Sequence, residues 1–311
     1  MKMYDNLVRS YMKKMENNEL SENTVSSYAR TFRLFRESMV ANGYDEPTPQ
    51  AVNDFQSEGG KSITTKDLYM THLRLLSGYG VSCGLLPEPF YREDVNGISR
   101  KKVSSAHQKP YDHVLTEADM VALITAERPV VGRKTSTWLR EQAEVTLMIQ
   151  SGLRNLELRT LRPADIDWEN GVIIPNRTKG EKVRAVAFPV AAQRAVRNYL
   201  ASGLRPAWVG DNEPLFGTVT NDGKWRGLER TELSDRVYKY TKSVLGEEKA
   251  CRTHAARHCY ASVLLEHGVD MQYISETLGH SSVATTKIYA ARFNVNKPAA
   301  AVASVFDAVS A

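Results

Sequence analysis

Near the C-terminus, residues 253–258 read Thr-His-Ala-Ala-Arg-His, residues 278–281 read Leu-Gly-His-Ser and residues 287–290 read Lys-Ile-Tyr-Ala. An earlier stretch, residues 151–158, reads Ser-Gly-Leu-Arg-Asn-Leu-Glu-Leu. Arginines held beside histidines form a site for an anionic oxygen group, and a nearby tyrosine can act as a nucleophile on that group. These stretches therefore predict both an anion site and the chemistry that would act on its ligand.

The spacing within the stretches predicts how the side chains are held. His254 and Arg257 are three residues apart, so on a helix they project from the same face. Gly279 is predicted to end one helix, and a serine at 281–282 can cap the next one. We therefore expect His280 to lie on a rigid corner between two helices.

The four stretches resemble the tyrosine recombinase (phage integrase) family, whose substrate is a DNA phosphodiester. The resemblance runs from about Leu115 to Ala291, and more loosely over the N-terminal part of the chain. Ala256 stands where the family usually has leucine, and Tyr260 where it usually has phenylalanine, and both are packing changes. The catalytic positions that the resemblance implies are Arg154, Lys179, His254, Arg257, His280 and Tyr289.

The resemblance also implies a role for each position. The two arginines bind non-bridging oxygens of the scissile phosphate, for which a planar, permanently charged guanidinium is suited. His254 takes the tyrosine proton or donates to a phosphate oxygen, and His280 also bonds the phosphate. Tyr289 attacks the phosphorus. Taken without these motifs, the same residues would be interpreted as purely structural. Arg154, for example, would be a surface arginine paired with Glu157.

A small antiparallel sheet is predicted between the two motif regions. Strand-like segments at 165–168, 172–175 and 183–188 are separated by an Asn-Gly turn and a Lys-Gly turn. The family places a lysine in this second turn, where it reaches the minor groove and protonates the departing 5′ oxygen. Lys179 fits that position, but Lys182 is close enough to be a rival.

Bulk properties limit the class of protein. The 311 residues favour two domains, and the net charge of +5 is only weakly indicative of a nucleic-acid partner. The three cysteines lack CxxC spacing, so neither a zinc site nor a disulfide framework is predicted. No apolar run approaches the ~20 residues of a membrane helix, and the N-terminus does not resemble a signal peptide. We expect a cytoplasmic, nucleoid-associated protein.

We therefore expect a mainly α-helical protein with a small antiparallel β-sheet, in the two-domain architecture of a tyrosine recombinase. A helical core-binding domain of the SAM-like type is expected over residues 1–97. A basic linker follows over 98–112. The α+β catalytic domain is expected over 113–311, and its alanine- and valine-rich tail is expected to dock on a neighbouring subunit.

Some polar and basic positions suggest contacts with the DNA backbone. Thr64, Thr65 and Lys66 lie at a predicted helix start, where phosphate contact and a plain surface role are both open. The linker residues Arg100, Lys101 and Lys102 have no acidic neighbours, and we expect them to contact phosphates. Arginines at 30, 33 and 36 are interpreted as a solvated helix face.

The resemblance implies a site-specific recombinase that forms a 3′-phosphotyrosine and a free 5′-hydroxyl. Bond energy is conserved in the covalent intermediate, so no ATP or other cofactor is expected. The two arginines and His280 can stabilise the charge on the phosphate, so no metal is expected either. The partners implied are a double-stranded DNA recombination site and three further copies of the chain in a homotetramer. The alternatives are a type IB topoisomerase-like enzyme and a catalytically silent DNA-binding protein. The target sequence and the choice among integration, excision, inversion and resolution stay open.

Overall fold

The structure is a computed structural model that describes residues 1–99, 115–128, 134–176 and 184–279. The chain divides into two compact units, Met1–Lys109 and Pro110–Ala311. Each unit has its own apolar core. Linker residues Arg100, Lys101 and Lys102 and the predicted tail helix lie outside the described residues.

The first unit is helical. Its elements are α1 (Lys2–Asn17), α2 (Glu22–Ala41), α3 (Pro49–Ser57), α4 (Ile63–Ser82) and the short α5 (Glu93–Asn96). The hydroxyl oxygens that begin α2 and α4 each accept a hydrogen bond from the amide three residues on, at 3.3 Å for Ser21 and 3.2 Å for Ser62. These caps satisfy amide groups that the helix itself leaves unpaired.

Aromatic rings fill the core of this unit. Phe35 of α2 is fully buried and meets Tyr4 edge-on at 5.6 Å, Phe55 at 5.5 Å and Phe90 in a stack at 6.1 Å between centroids. Each such ring removes a large apolar area from water, and edge-on and offset contacts add to that stabilisation. The helical period of α2 thus places its aromatic face inward.

His72 of α4 is a buried histidine within this core. Its Nδ1 lies 2.7 Å from the Thr31 hydroxyl, and its ring stacks on Tyr28 with 3.8 Å between centroids. Burial lowers the pKa of His72 from its ordinary value to about 4, because the positive charge of imidazolium would lose its hydration. The histidine is therefore neutral at neutral pH.

We expect acid to destabilise the first unit through His72. The unfolded chain takes up this proton near pH 6.5 but the folded chain only near pH 4, so the contribution of His72 is present above 6.5 and is lost as the pH falls towards 4. The free energy of unfolding should drop by up to roughly 3 kcal/mol over that window. Hydrogen exchange of peptides from α2 and α4, corrected for the pH dependence of intrinsic exchange rates, measures this drop in the free energy of unfolding.

His72→Asn keeps a polar partner for Thr31 and cannot titrate in this range, so the acid sensitivity of α2 and α4 should be reduced in this variant. His267→Asn removes a half-exposed histidine of the second unit and serves as the matched control. An unchanged pH dependence in His72→Asn would contradict the assignment.

The second unit is built around a buried central helix. Its helices are α6 (Glu117–Thr125), α7 (Thr135–Ser151), α8 (Asn155–Arg159), α9 (Val190–Ala201), α10 (Arg230–Leu245), α11 (Thr253–Glu266) and α12 (Met271–Leu278). Helix α7 packs against α6, α9, α10 and α11. The sequence Thr-Glu-Ala-Asp at 116–119 predicts a capping box, and it is confirmed because Thr116 and Asp119 exchange hydrogen bonds at the start of α6.

Two small antiparallel sheets complete the unit. The first has the order β1 (Ile166–Asp167), β2 (Val172–Ile173) and β3 (Val186–Ala187), with Ile166 opposite Ile173 and Val172 opposite Ala187. The strands are shorter than the sequence predicted. The second sheet pairs β4 (Gly217–Val219) with β5 (Trp225–Gly227). The mainly α-helical fold class with small antiparallel sheets is confirmed.

The β4–β5 hairpin was not among the strands that the sequence predicted. Its turn is held by Thr220, whose hydroxyl donates to Asp222 at 2.5 Å, and it ends in Gly223 at φ +79°. An Asn-Asp-Gly turn is a hairpin signal. The sequence therefore carries a local signal for this hairpin.

One ion pair of this unit is almost completely buried. Glu144 of α7 accepts a hydrogen bond from Arg236 of α10 at 3.0 Å, and Arg140 lies 3.7 Å away. Burial raises the pKa of Glu144 to about 7, although both arginines oppose the rise. Loss of one partner from such a pair destabilises the fold, because it leaves the other charge buried and unpaired.

Candidate active site

Gly152 fixes the position of Arg154. It ends α7 in the left-handed conformation at φ +59°, a position that favours glycine. A Cβ atom there would lie 2.7 Å from Tyr260 Cδ1 and 3.0 Å from Leu278 Cδ2, so no larger residue fits without a shift of these neighbours. The sharp turn leads directly into α8, with Arg154 as its N-cap residue.

The guanidinium of Arg154 is held at two points. Its Nη1 donates to Glu157 Oε1 at 2.7 Å, and its Nη2 donates to the carbonyl oxygen of Gly279 at 2.5 Å. The backbone amide of Arg154 donates to Glu157 Oε2, also at 2.7 Å. The side chain nevertheless keeps about a quarter of its surface accessible, with 24% exposed. Arg154 is thus rigid and still open to a ligand.

Arg257 approaches the same backbone from another helix. It is 7% exposed, and its guanidinium donates to the carbonyl oxygens of Gly152 and Leu278. Arg154 binds Gly279, the residue that follows Leu278. The structure therefore brings together two arginines that are far apart in sequence, and it fixes both against the turn that precedes position 280.

Gly279 makes this turn possible. It ends α12 at φ +62°, as the sequence predicted. A Cβ atom at this position would lie 3.0 Å from Arg184 Cδ and 3.3 Å from Arg154 Nη1. The absence of a side chain at Gly279 lets both arginines approach the backbone.

His254 lies in the first turn of α11, one turn before Arg257. Its side chain is exposed to solvent, yet the surrounding protein desolvates the ring enough to lower its pKa, and the charges of Arg230 and Arg257 lower it further. The neutral imidazole is therefore favoured, which is the form that accepts a proton.

A third arginine, Arg184, reaches the site, and it was not among the predicted site residues. Arg184 lies two residues before β3, and its Nη2 donates to Glu157 Oε2 at 2.5 Å. Its Nη1 donates to the carbonyl oxygen of Thr277. Glu157 is consequently shared between Arg154 and Arg184. No local pattern in the sequence distinguishes Arg184 from the other arginines of the chain.

The remaining predicted site residues are not seen in this arrangement. Lys179, Lys182, His280 and Tyr289 lie outside the described residues. Thr64, Thr65 and Lys66 lie in the first turn of α4 in the first unit, where Ser62 Oγ is 2.9 Å from both threonine hydroxyls.

Two properties of the described residues bear on other functions. The described part of the chain holds no group of three or more histidine, cysteine, aspartate or glutamate side chains that could bind a metal ion. Among the described helices, none is long and apolar enough to cross a membrane.

Comparison with known proteins places this geometry in context. Residues 113–294 match the family model described as the phage integrase family. The chain is 28% identical over 281 residues to tyrosine recombinase XerD of Listeria monocytogenes serotype 4b (strain F2365), covering 87% of the chain and 88% of XerD. It is 32% identical over 253 residues to tyrosine recombinase XerC of Thermodesulfovibrio yellowstonii, covering 78% of the chain and 76% of XerC.

Solved structures share the fold at lower identity. XerH site-specific recombinase bound to palindromic difH substrate superposes with a TM-score of 0.67 at 21% identity, covering 91% of the chain and 80% of XerH. The Tn1549 transposon integrase in complex with transposon right end DNA superposes with a TM-score of 0.66 at 19% identity, covering 93% and 95%.

Proposed function

The chain belongs to the phage integrase family and is a site-specific DNA recombinase of the tyrosine type. From the geometry of the site, we propose that Arg154 and Arg257 bind the scissile phosphate, which Tyr289 then attacks. The attack forms a bond from the tyrosine oxygen to phosphorus and breaks the bond to the 5′ oxygen. A 3′-phosphotyrosine and a 5′-hydroxyl result. A 5′-hydroxyl from a partner strand then displaces the tyrosine and restores a phosphodiester.

One observation carries this proposal, namely the convergence of Arg154 and Arg257 on the backbone of residues 278–279. Both guanidiniums are fixed by carbonyl oxygens before any ligand arrives. Preorganised positive charge stabilises the charge that accumulates on phosphate oxygens in the transition state. Because His280 is the next residue after Gly279 in sequence, the same turn supports its proposed hydrogen bond to the phosphate.

Proton transfer is assigned to two other groups. His254, whose neutral form is favoured, takes the proton from Tyr289 or bonds the phosphate. Lys179, which lies between β2 and β3 in sequence, protonates the leaving 5′ oxygen, with Lys182 as its rival. Arg184, which follows Lys182 by two residues in sequence, shares Glu157 with Arg154. This contact supports the assignment, because it brings the chain just after the two lysines to the site.

The first unit and its linker are assigned to DNA binding. We propose that residues 1–97 form a core-binding domain, with Thr64, Thr65 and Lys66 at phosphates. Residues 98–112 link it to the catalytic domain, 113–311, through Arg100, Lys101 and Lys102. The XerH and Tn1549 structures, which share the fold, are complexes with DNA, which supports a double-stranded DNA site as the partner.

Assembly and location follow from the reaction. Exchange of strands between two duplexes needs four active sites, so we assign a homotetramer on DNA in which the tail after residue 296 docks on a neighbouring subunit. The place of action is the nucleoid in the cytoplasm, where the DNA substrate lies.

Cleavage is expected to proceed in EDTA and without ATP, because the arginines and His280 provide the positive charge that a metal would otherwise provide. The protein is incubated with lightly nicked fragments of its source genome and then denatured with detergent. When a nick lies next to a site, cleavage releases a short strand that carries the 5′-hydroxyl. This strand diffuses away, so it cannot rejoin and the covalent intermediate is trapped. Protein–DNA adducts should form equally with chelator, and sequencing the captured DNA identifies the target.

Two outcomes would revise the proposal. Adducts that vanish with EDTA and return with magnesium would overturn the assignment of the arginines. Relaxation of a supercoiled plasmid without any captured sequence would favour the type IB topoisomerase-like activity instead.

A further inference from the structure

Arg184 occupies a junction between three parts of the second unit. It stands two residues before β3, it binds Glu157 of α8, and it donates to the carbonyl oxygen of Thr277 in the last turn of α12. Its side chain is 7% exposed. This burial leaves Arg184 with little access to a ligand, so any role in the reaction must pass through its neighbours.

The most informative neighbour is Glu157, whose side chain is 1% exposed. One carboxylate oxygen faces Arg154 at 2.7 Å and the other faces Arg184 at 2.5 Å. Burial by itself would raise the pKa of Glu157, but the charge of Arg184, followed by the amide and charge of Arg154, holds it below its ordinary value. Glu157 is therefore an ionised, buried carboxylate whose charge is shared between two cations.

The balance of charge shows what Arg184 contributes. With Arg184 present, two guanidiniums and one carboxylate leave the group with a net charge of +1. Without Arg184, the charge of Glu157 would be opposed by Arg154 alone, and that pair would be neutral. A buried charge without its partner attracts any remaining cation strongly, since water does not screen it. Arg154 already donates to Glu157. Without Arg184 it would be drawn more strongly to that carboxylate, and less of its charge would be available to a ligand.

We propose that Arg184 is a positioning residue, which takes up the charge of Glu157 so that Arg154 keeps its own charge for the scissile phosphate. The contact with Thr277 has a second effect, because it fixes the C-terminal end of α12. The carbonyl oxygen of Gly279, which accepts the hydrogen bond from Arg154, lies at that end. The inference rests on the proposed function, because it requires that Arg154 binds the phosphate.

The test compares two substrates with one variant. A nicked duplex carrying the captured target is made with an ordinary scissile phosphate or with a methylphosphonate, which has a methyl group in place of one charged oxygen. Arg184→Met should slow adduct formation on the phosphate by roughly 10- to 100-fold, less than the loss of a direct donor. On the uncharged methylphosphonate, the same variant should remain within about 3-fold of the parent, because little charge needs stabilisation.

A second variant separates the charge effect from a defect in folding. Arg184→Met combined with Glu157→Gln removes both opposing charges and restores a net charge of +1 at Arg154. The double variant should recover much of the lost rate on phosphate. Arg184→Lys, which keeps the charge without the fork of donors, should lie between Arg184→Met and the parent. Thermal unfolding of each protein is followed in parallel.

Arg236→Met is the matched control, since Arg236 also pairs with a buried glutamate, but that glutamate is Glu144 of α7 and not Glu157. It should lower the melting temperature and leave the ratio of the two substrate rates unchanged. Equal slowing of both substrates by Arg184→Met, or no rescue by the double variant, would overturn the inference.

Arg154→Ala distinguishes failure of the inference from failure of the proposed function. A parent protein that forms no adduct, or an Arg154→Ala variant that cleaves phosphate normally, would contradict the proposed function itself. Slow cleavage by Arg154→Ala together with normal cleavage by Arg184→Met would contradict only the role of Arg184.

Discussion

Replacing Tyr289 by phenylalanine should abolish the covalent protein–DNA adduct while leaving DNA binding nearly intact. The aromatic ring is kept, so packing changes little, but the oxygen that would attack phosphorus is gone. The measurement uses a nicked duplex carrying the captured target and denaturing electrophoresis for the adduct. Gel-shift titration of the same duplex measures binding.

Tyr273→Phe provides the matched control for this experiment. Tyr273 lies in α12, close in sequence to Tyr289, and is 49% exposed, so its hydroxyl can be removed without opening a cavity. This variant should form the adduct at the parent rate. A persistent adduct in Tyr289→Phe would mean that another residue is the nucleophile, and peptide mapping of the linked DNA would identify it.

Lys179→Ala should slow cleavage of ordinary DNA by ~10²–10⁴-fold, which is the usual contribution of a general acid. The reason is that the 5′ oxygen is a poor leaving group unless it receives a proton. A substrate with sulfur at the 5′ bridging position needs no such proton. It should therefore be cleaved by Lys179→Ala almost as fast as by the parent protein.

Lys182→Ala is the natural comparison, because it removes the same charge from the same hairpin three residues away. If Lys179 is the acid, Lys182→Ala should show only a small effect, and an equal one on both substrates. Rescue by sulfur in Lys182→Ala, combined with equal slowing of both substrates in Lys179→Ala, would move the general acid to Lys182.

The sequence predicted those features that depend on neighbouring residues. The capping box at Thr116 and the helix ends at Gly152 and Gly279 were all readable, because each is governed by residues a few positions apart. The shared face of His254 and Arg257 is likewise a property of helical spacing, and both lie in α11. The turn signal of the β4–β5 hairpin was of the same local kind and should have been found.

The catalytic roles came from the resemblance of whole motifs, since an isolated arginine or tyrosine carries little information. Only tertiary structure decided which groups support those motifs. Arg184 binds Glu157 across 27 residues of chain and Thr277 across 93, and Arg257 binds Gly152 across 105. Such contacts follow from the packing of α7, α11 and α12, and no local period encodes them. The charge available at Arg154 is therefore a property of the folded unit, because it depends on where a distant guanidinium meets a shared carboxylate.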